Sequence, residues 1–111
     1  MKNQSSKLLK RRRQDLLRNL PPLSSVLRGS LIERYKRCGK QTCRCASGKG
    51  HGPKYYLSVS LPGSSRPKMD YVPQEYKEVV ESYLANYKLT REILEEICAI
   101  NRELLSRREE L

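Results

Sequence analysis

The sequence predicts an α+β fold, with a small three-stranded antiparallel sheet between a basic N-terminal helix and a long C-terminal helix or helical hairpin. Three observations lead to this prediction. Residues 54–60 alternate apolar and polar side chains, as a half-buried strand does. Residues 74–110 contain neither proline nor glycine and repeat apolar side chains at helical intervals. The chain has 111 residues and lacks Trp and Phe, so its core is expected to be small.

Residues 1–26 are predicted to form a basic arm that contains one helix. Ser5 or Ser6 can cap a helix that runs to about Leu20, and Pro21 ends it. Leucines give this helix a partial apolar stripe. The rest of its surface is cationic, through Lys7, Lys10, Arg11, Arg12, Arg13 and Arg18. Such a helix is suited to phosphate contacts, and a solvated tail that aids solubility is the alternative.

Residues 27–73 are predicted to form the sheet. Strands are expected at residues 30–37, 54–60 and 68–72, and the turn-rich residues 61–67 join the last two. Strands so close in sequence are expected to pair in antiparallel fashion. A long loop then connects the first two strands.

Four of the seven tyrosines fall in this sheet, where they can either fill the core or stack on nucleic-acid bases. Tyr55 shares the apolar face of its strand with Leu57, and Tyr71 shares a face with Met69. Tyr55 and Tyr71 are therefore assigned to the core. Tyr56 lies on the polar face of its strand and is the best candidate for base stacking.

The loop between the first two strands carries a candidate metal site. Cys38, Cys43, Cys45 and His51 are spaced C-x4-C-x-C-x5-H. A Cys3His set fills the tetrahedral shell of a structural zinc ion and leaves no open position for a catalytic water. A structural Zn²⁺ is predicted, because so small a sheet gains from a metal. An iron–sulfur or redox role, and free thiols without a metal, are the alternatives.

Residues 74–111 are predicted to form an amphipathic helix, or two helices if the weaker stretch 88–91 bends. From Ile93 to Leu104, apolar residues are spaced four, three and four residues apart, as in a coiled coil. The small sheet cannot cover so long a stripe, so a homodimer is predicted, with a fold back onto the chain's own sheet as the alternative. The residues assigned to the dimer interface are Tyr83, Tyr87, Ile93, Leu94, Ile97, Ile100 and Leu104. Cys98 is expected to be a buried or half-buried residue in the region of this stripe, with a fifth metal ligand or an inter-subunit disulfide as the alternatives.

Positive charge is concentrated in the first half of the chain. The whole chain has a net charge of +11, of which residues 1–50 carry +12 and residues 51–111 carry −1. This asymmetry favours nucleic acid as the partner of the first half, and DNA is expected ahead of RNA. The residues assigned to this contact, with Tyr56 for stacking, are Lys7, Lys10, Arg11, Arg12, Arg13, Arg18, Arg28, Arg34, Lys36, Arg37, Lys40 and Arg44.

Several classes of protein are not indicated. No apolar run approaches the ~18 residues of a transmembrane helix, and the N-terminus lacks the apolar segment of a secretory signal. A cytoplasmic protein is therefore expected, with association with the nucleoid as an option and without membrane contact. Cysteines clustered with a histidine also fit a reducing compartment. No Ser/His/Asp set, phosphate-binding loop or dinucleotide motif occurs, so the chain is not expected to be an enzyme.

The sequence resembles a group of small, uncharacterised bacterial and archaeal proteins. Their shared core, R-C-G-K-x-x-C-x-C-A-x-G-x-x-H-G-P, matches RCGKQTCRCASGKGHGP at residues 37–53, and the resemblance spans about residues 27–105. It implies that Cys38, Cys43, Cys45 and His51 are metal ligands, and it implies a loose association with mobile elements. It implies no activity, and the basic arm before residue 27 lies outside the shared pattern.

Together these features predict a zinc-stabilised nucleic-acid-binding module that dimerises through its C-terminal helix and is accessory to a mobile element or phage. A second hypothesis is a protein–protein adaptor, whose C-terminal helix docks a larger partner such as a nuclease or transposase. A third is a redox-responsive switch, in which oxidation of the cysteines releases the zinc.

Overall fold

The computed structural model describes residues 1–36 and 51–111, and in these ranges the chain folds as a helix, three strands and a second helix. The elements are α1 (Ser6–Arg18), β1 (Ser30–Lys36), β2 (His51–Val59), β3 (Lys68–Val72) and α2 (Lys77–Ser106), with single 3₁₀ turns at Leu23–Ser25 and Gln74–Tyr76. The predicted α+β class, the three-stranded antiparallel sheet and the long C-terminal helix are confirmed.

The chain divides into two compact units. Residues 1–26 and 85–111 form one, called here the helical unit, and residues 27–84 form the other, the sheet unit. The helix α2 contributes to both, because the division falls after Leu84. The N-terminal segment thus packs with the C-terminal helix, a grouping that the sequence did not reveal.

In the helical unit, α1 lies against the second half of α2. The hydroxyl of Ser5 accepts a hydrogen bond from the backbone N–H of Leu8 at 3.2 Å, so Ser5 is the N-cap of α1. Leu9 and Leu16 are seven residues apart and therefore lie on one face, which is buried. The core that they form with α2 contains Leu9, Leu16, Ile93, Ile100 and Leu104, flanked by Leu20 and Ile97. The two helices run antiparallel, since α1 contacts Arg107 at Ser6 and Glu96 at Arg12.

The helix α2 is continuous over 30 residues. Of the two alternatives, the single long helix is therefore the correct one, and the helical hairpin with a break at residues 88–91 is not formed. Thr90 lies in this stretch and is buried, and its hydroxyl donates to the carbonyl of Asn86 at 2.8 Å. When a threonine hydroxyl donates to the carbonyl four residues earlier, its hydrogen bond is made inside the helix. Thr90 therefore does not interrupt α2.

In the sheet unit the strand order is β1-β2-β3, and both pairs are antiparallel. The buried residues of this unit are Tyr55, Leu57 and Val72, packed against Leu27, Leu31, Val59, Val80 and Leu84. The first half of α2 therefore covers one face of the sheet. The backbone N–H of Leu27 donates to the carbonyl of Tyr83 at 3.2 Å and fixes the start of the unit on that helix.

Two details of the sheet differ from the sequence prediction. β2 begins at His51 rather than at residue 54, and the register shifts between the pairs Arg34–Lys54 and Lys36–His51. This irregularity gives Pro53 a place within a strand, because a bulge does not require its missing N–H. The second difference is Tyr71, which was assigned to the core but is 58 % exposed.

Gly29 makes a close approach just before β1. Its φ angle is +143°, and a Cβ atom placed on it would lie 2.8 Å from the carbonyl oxygen of Ser58 and 2.9 Å from Cδ1 of Leu57. Only glycine fits this conformation and this spacing without displacing the chain.

Candidate nucleic-acid interface

Three cations form a line on the outward face of α1. Lys7, Arg11 and Arg18 are separated by four and seven residues, about one and two helical turns, and all three are exposed. They lie opposite Leu9 and Leu16, which hold the other face of α1 against α2. Of the three, only Arg18 forms an ion pair within the described part of the chain, with Asp15 at 3.8 Å. We call these three residues the outer stripe.

The other arginines of α1 contact α2 instead. Arg12 donates from Nε and Nη2 to the carboxylate of Glu96, at 2.6 and 3.2 Å, and Arg13 donates from Nη1 to Oδ1 of Asn101 at 2.6 Å. The hydrogen bond from Arg12 holds the pKa of Glu96 below its ordinary value, and the same bond raises the pKa of Arg12. Arg12 and Arg13, both predicted to contact phosphates, therefore also join the two helices.

The charge of α1 works against its own stability. Six of its 13 residues are basic and its first turn contains no acidic residue. Cations near a helix N-terminus oppose the helix dipole, and like charges three or four residues apart repel each other. The energetics of the isolated helix therefore do not account for this composition.

A second group of cations lies on the face of the sheet that α2 does not cover, called here the outer sheet face. The register of the strands places Arg34 and Lys54 opposite each other on this face, and Tyr56 opposite Tyr71. The guanidinium carbon of Arg34 lies 5.8 Å from the centre of the Tyr56 ring, a cation–π contact. The Tyr56 and Tyr71 rings meet edge to face, with centroids 5.8 Å apart and planes at 67°.

Of the remaining cations predicted to contact nucleic acid, some lie in the described parts of the chain and the others lie outside them. Arg28 donates from Nη1 to the carbonyl of Ser60 at 2.9 Å and so fastens the chain before β1 to the end of β2. The backbone of Lys36 pairs with that of His51. Lys10 is half-buried on α1. The residues outside the described ranges are Arg37, Lys40 and Arg44.

The predicted metal ligands are only partly in view. Cys38, Cys43 and Cys45 lie outside the described residues, whereas His51 is the first residue of β2. In residues 1–36 and 51–111, no group of three or more His, Cys, Asp or Glu is placed to hold a metal ion. Cys98 is exposed on α2, so its predicted burial is wrong.

The residues assigned to a dimer interface divide into two groups. Ile93, Ile100 and Leu104 are buried, and Ile97 packs beside them, all against α1 of the same chain. Their seam is thus already covered, which corrects the expectation that it is left for a second copy. Leu94 is 51 % exposed, and Tyr83 and Tyr87 are half-buried.

Sequence reasoning missed two residues of the outer sheet face, Lys54 and Tyr71. The position of Lys54 could have been predicted, because a strand that places Tyr56 on its polar face places Lys54 there as well. Tyr71 was assigned to the wrong face, because Met69 and Tyr71 on one side looked more apolar than Val72 on the other.

These observations define the class of the protein as a small α+β module with a cationic helix and a cationic, aromatic sheet face. No helix in the described ranges has the length and apolar character needed to cross a membrane. The model of a family described as a domain of unknown function, DUF6788, matches residues 6–81, and the chain belongs to this family. No curated protein and no solved structure matches the chain.

The family match confirms the expected membership of an uncharacterised family, with a different extent. It begins at Ser6 and ends at Glu81, so it includes α1, which the sequence resemblance had placed outside the shared pattern. The basic helix is therefore part of the family region rather than an addition to it.

Proposed function

We propose that this protein binds nucleic acid without catalysing a reaction, and that the outer stripe of α1 contacts the phosphates. The observation that carries the proposal is the position of Lys7, Arg11 and Arg18 on the surface opposite the buried leucines of the same helix. A line of exposed cations in a chain half of net charge +12 is a typical footprint for a polyanionic backbone. A cytoplasmic or nucleoid-associated location, accessory to a mobile element or phage, accords with this role.

Removal of the outer stripe is expected to change both the affinity for nucleic acid and its dependence on salt. Replacing Lys7, Arg11 and Arg18 together with glutamine is expected to weaken binding to a random-sequence duplex about 10- to 100-fold near 0.1 M salt. The slope of log K against log salt is expected to fall by about 2 to 3, because each lost phosphate contact leaves about 0.9 counterions unreleased. Fluorescence anisotropy of labelled DNA and RNA at several KCl concentrations measures both effects.

A charge-matched control separates position from net charge. Lys88, Arg91 and Arg102 are exposed on α2, in the same helical unit, and their replacement by glutamine removes the same three charges. This control is expected to keep most of the affinity and nearly all of the slope. Equal losses in the two triple variants, or wild-type protein that binds neither DNA nor RNA at low salt, would contradict the proposal.

A structural zinc ion in the segment between β1 and β2 is a second part of the proposal. The backbone pairing of Lys36 with His51 places these two residues side by side, and Cys38 follows Lys36 by two residues in the sequence. The last proposed ligand, His51, is therefore a neighbour of the strand residue that precedes the first proposed ligand by two positions. Three thiolates and an imidazole are the donors that zinc prefers, and the metal would stabilise the small sheet.

The metal content of the purified protein is expected to be about one zinc per chain. Cys43→Ser is expected to lose most of this zinc, since one of four ligands is removed. Cys98→Ser is the control, because Cys98 lies on α2 and outside the predicted ligand set, and it is expected to retain the metal. Elemental analysis for zinc and iron distinguishes the two metals. A Cys43→Ser protein with unchanged metal content would disprove this ligand set.

One observation favours an adaptor as a second candidate function. Leu94 and Leu105 remain 51 % and 53 % exposed on α2, although the buried seam of the helix is covered by α1. Exposed apolar residues on a helix are suited to a protein partner. If the adaptor function holds, the double variant Leu94→Ser/Leu105→Ser fails to bind a protein partner that the wild type binds. The wild-type protein then shows no salt-dependent binding of nucleic acid.

A further inference from the structure

The outer sheet face carries two aromatic rings that are not part of the hydrophobic core of the sheet unit. Tyr71 is 58 % exposed and Tyr56 is half-buried, and the two rings contact each other. The core of the sheet unit lies on the opposite face, where Tyr55, Leu57 and Val72 pack beneath α2. The rings of Tyr56 and Tyr71 are therefore available to a ligand.

The charges around these rings are of one sign. Arg34 and Lys54 are paired across β1 and β2 on this face, and Arg34 lies against the Tyr56 ring. The nearest carboxylates in sequence, Glu33 and Asp70, are paired with core residues and so belong to the opposite face. Within the described strands, the outer sheet face therefore carries cations and no carboxylate.

We infer that the outer sheet face binds single-stranded nucleic acid, with bases stacked on Tyr71 and Tyr56 and phosphates held by Arg34 and Lys54. Every base has a flat π surface, so tyrosine rings can stack on bases without reading their sequence, and nearby cations follow the backbone. In a duplex the bases are already stacked on each other and are not available to a flat protein surface. This inference rests on the proposed function and adds to it a preference for single strands.

The geometry assigns different parts to the two rings. Tyr71 is the more exposed, so its face is the main platform. The ring of Tyr56 meets the ring of Tyr71 at an interplanar angle of 67° and already has the Arg34 guanidinium over it. Arginine and tyrosine in contact form a surface that stacks a base and neutralises its phosphate at once. The loss of either ring is therefore expected to weaken binding, and the loss of Tyr71 is expected to weaken it more.

The first test compares single-stranded and duplex oligonucleotides of the same sequence. Tyr71→Leu is expected to weaken binding of the single strand roughly 5- to 150-fold, the range found when one stacking residue is removed, and to leave duplex binding and the salt slope unchanged. Tyr71→Phe keeps the ring and is expected to bind as the wild type does. Tyr76→Leu is the matched control, because Tyr76 is 56 % exposed in the same unit but precedes α2 rather than lying on the sheet.

A second test uses the unaltered protein and so does not depend on how a variant folds. An abasic oligonucleotide has the phosphates of the single strand but no bases. It is expected to bind more weakly than the normal strand with a similar salt slope, and to leave the tyrosine fluorescence unquenched, which is readable because the chain has no Trp. Equal affinity for the two strands, or an equal loss in Tyr71→Leu and Tyr76→Leu, would overturn the inference. Salt-dependent binding of both duplex and abasic strand would then leave the proposed function intact, whereas no binding to any of them would remove both.

Discussion

Ile100→Ala is expected to destabilise the helical unit by about 2–5 kcal/mol. Ile100 is fully buried, with a relative exposure of 0 %, in the core that α1 and α2 share. Removal of three carbons leaves a cavity that Leu9, Leu16 and Leu104 can fill only in part. Since a small domain is stable by only ~5–15 kcal/mol, this loss is a large fraction of the total. Urea unfolding followed by far-ultraviolet circular dichroism measures it.

Leu94→Ala is the matched control for Ile100→Ala. Leu94 lies on the same helix and is 51 % exposed, so its truncation is expected to change the unfolding free energy by no more than about 0.5 kcal/mol. If both substitutions cost the same, α1 does not cover the seam of α2 in solution. A large effect at Leu94 alone would instead support the dimer that the sequence predicted.

Gly29→Ala is expected to destabilise the sheet unit by roughly 2–5 kcal/mol. The φ angle of +143° is unfavourable for any L side chain, and the added methyl group would meet the Ser58 carbonyl oxygen at 2.8 Å. The backbone of β2 cannot move away without disturbing its pairing with β1, so strain and steric overlap add. Thermal unfolding of the two proteins provides the comparison.

Gly63 separates the two causes of that destabilisation. Its φ angle of +77° is also positive, but a Cβ atom placed there would have no atom within 4 Å. Gly63→Ala is therefore expected to cost only the backbone strain, roughly 1–2 kcal/mol. Equal costs at the two glycines would show that the close approach at Gly29 has no energetic weight.

Local patterns in the sequence were sufficient to predict most of the elements. The cap at Ser5, the alternation of Tyr55 and Leu57 and the helical repeat of α2 all depend on neighbours within a few residues. Such signals are written in short stretches of sequence and are largely independent of the rest of the chain. The outward position of Lys7 and Arg11 follows from the same periodicity once Leu9 is known to be buried.

The partner of each apolar surface could not be predicted in the same way. The spacing from Ile93 to Leu104 is the same whether α1 or a second chain covers it, so periodicity cannot choose between them. The choice between Tyr71 and Val72 likewise depended on which face of the sheet receives Val80 and Leu84. Both decisions are made by contacts between residues far apart in sequence, which no local pattern contains.

The crowding of like charges on α1 would couple the folding of this helix to the binding of a polyanion, if the proposed function holds. A polyanion that neutralises Lys7 and Arg11 relieves repulsion in the helix as it binds, and any ligand that binds the folded form alone stabilises that form. Dissolved salt acts on the same repulsion by screening it. Added salt is therefore expected to have opposite effects on two properties of one helix: it would stabilise the free protein and weaken the proposed complex.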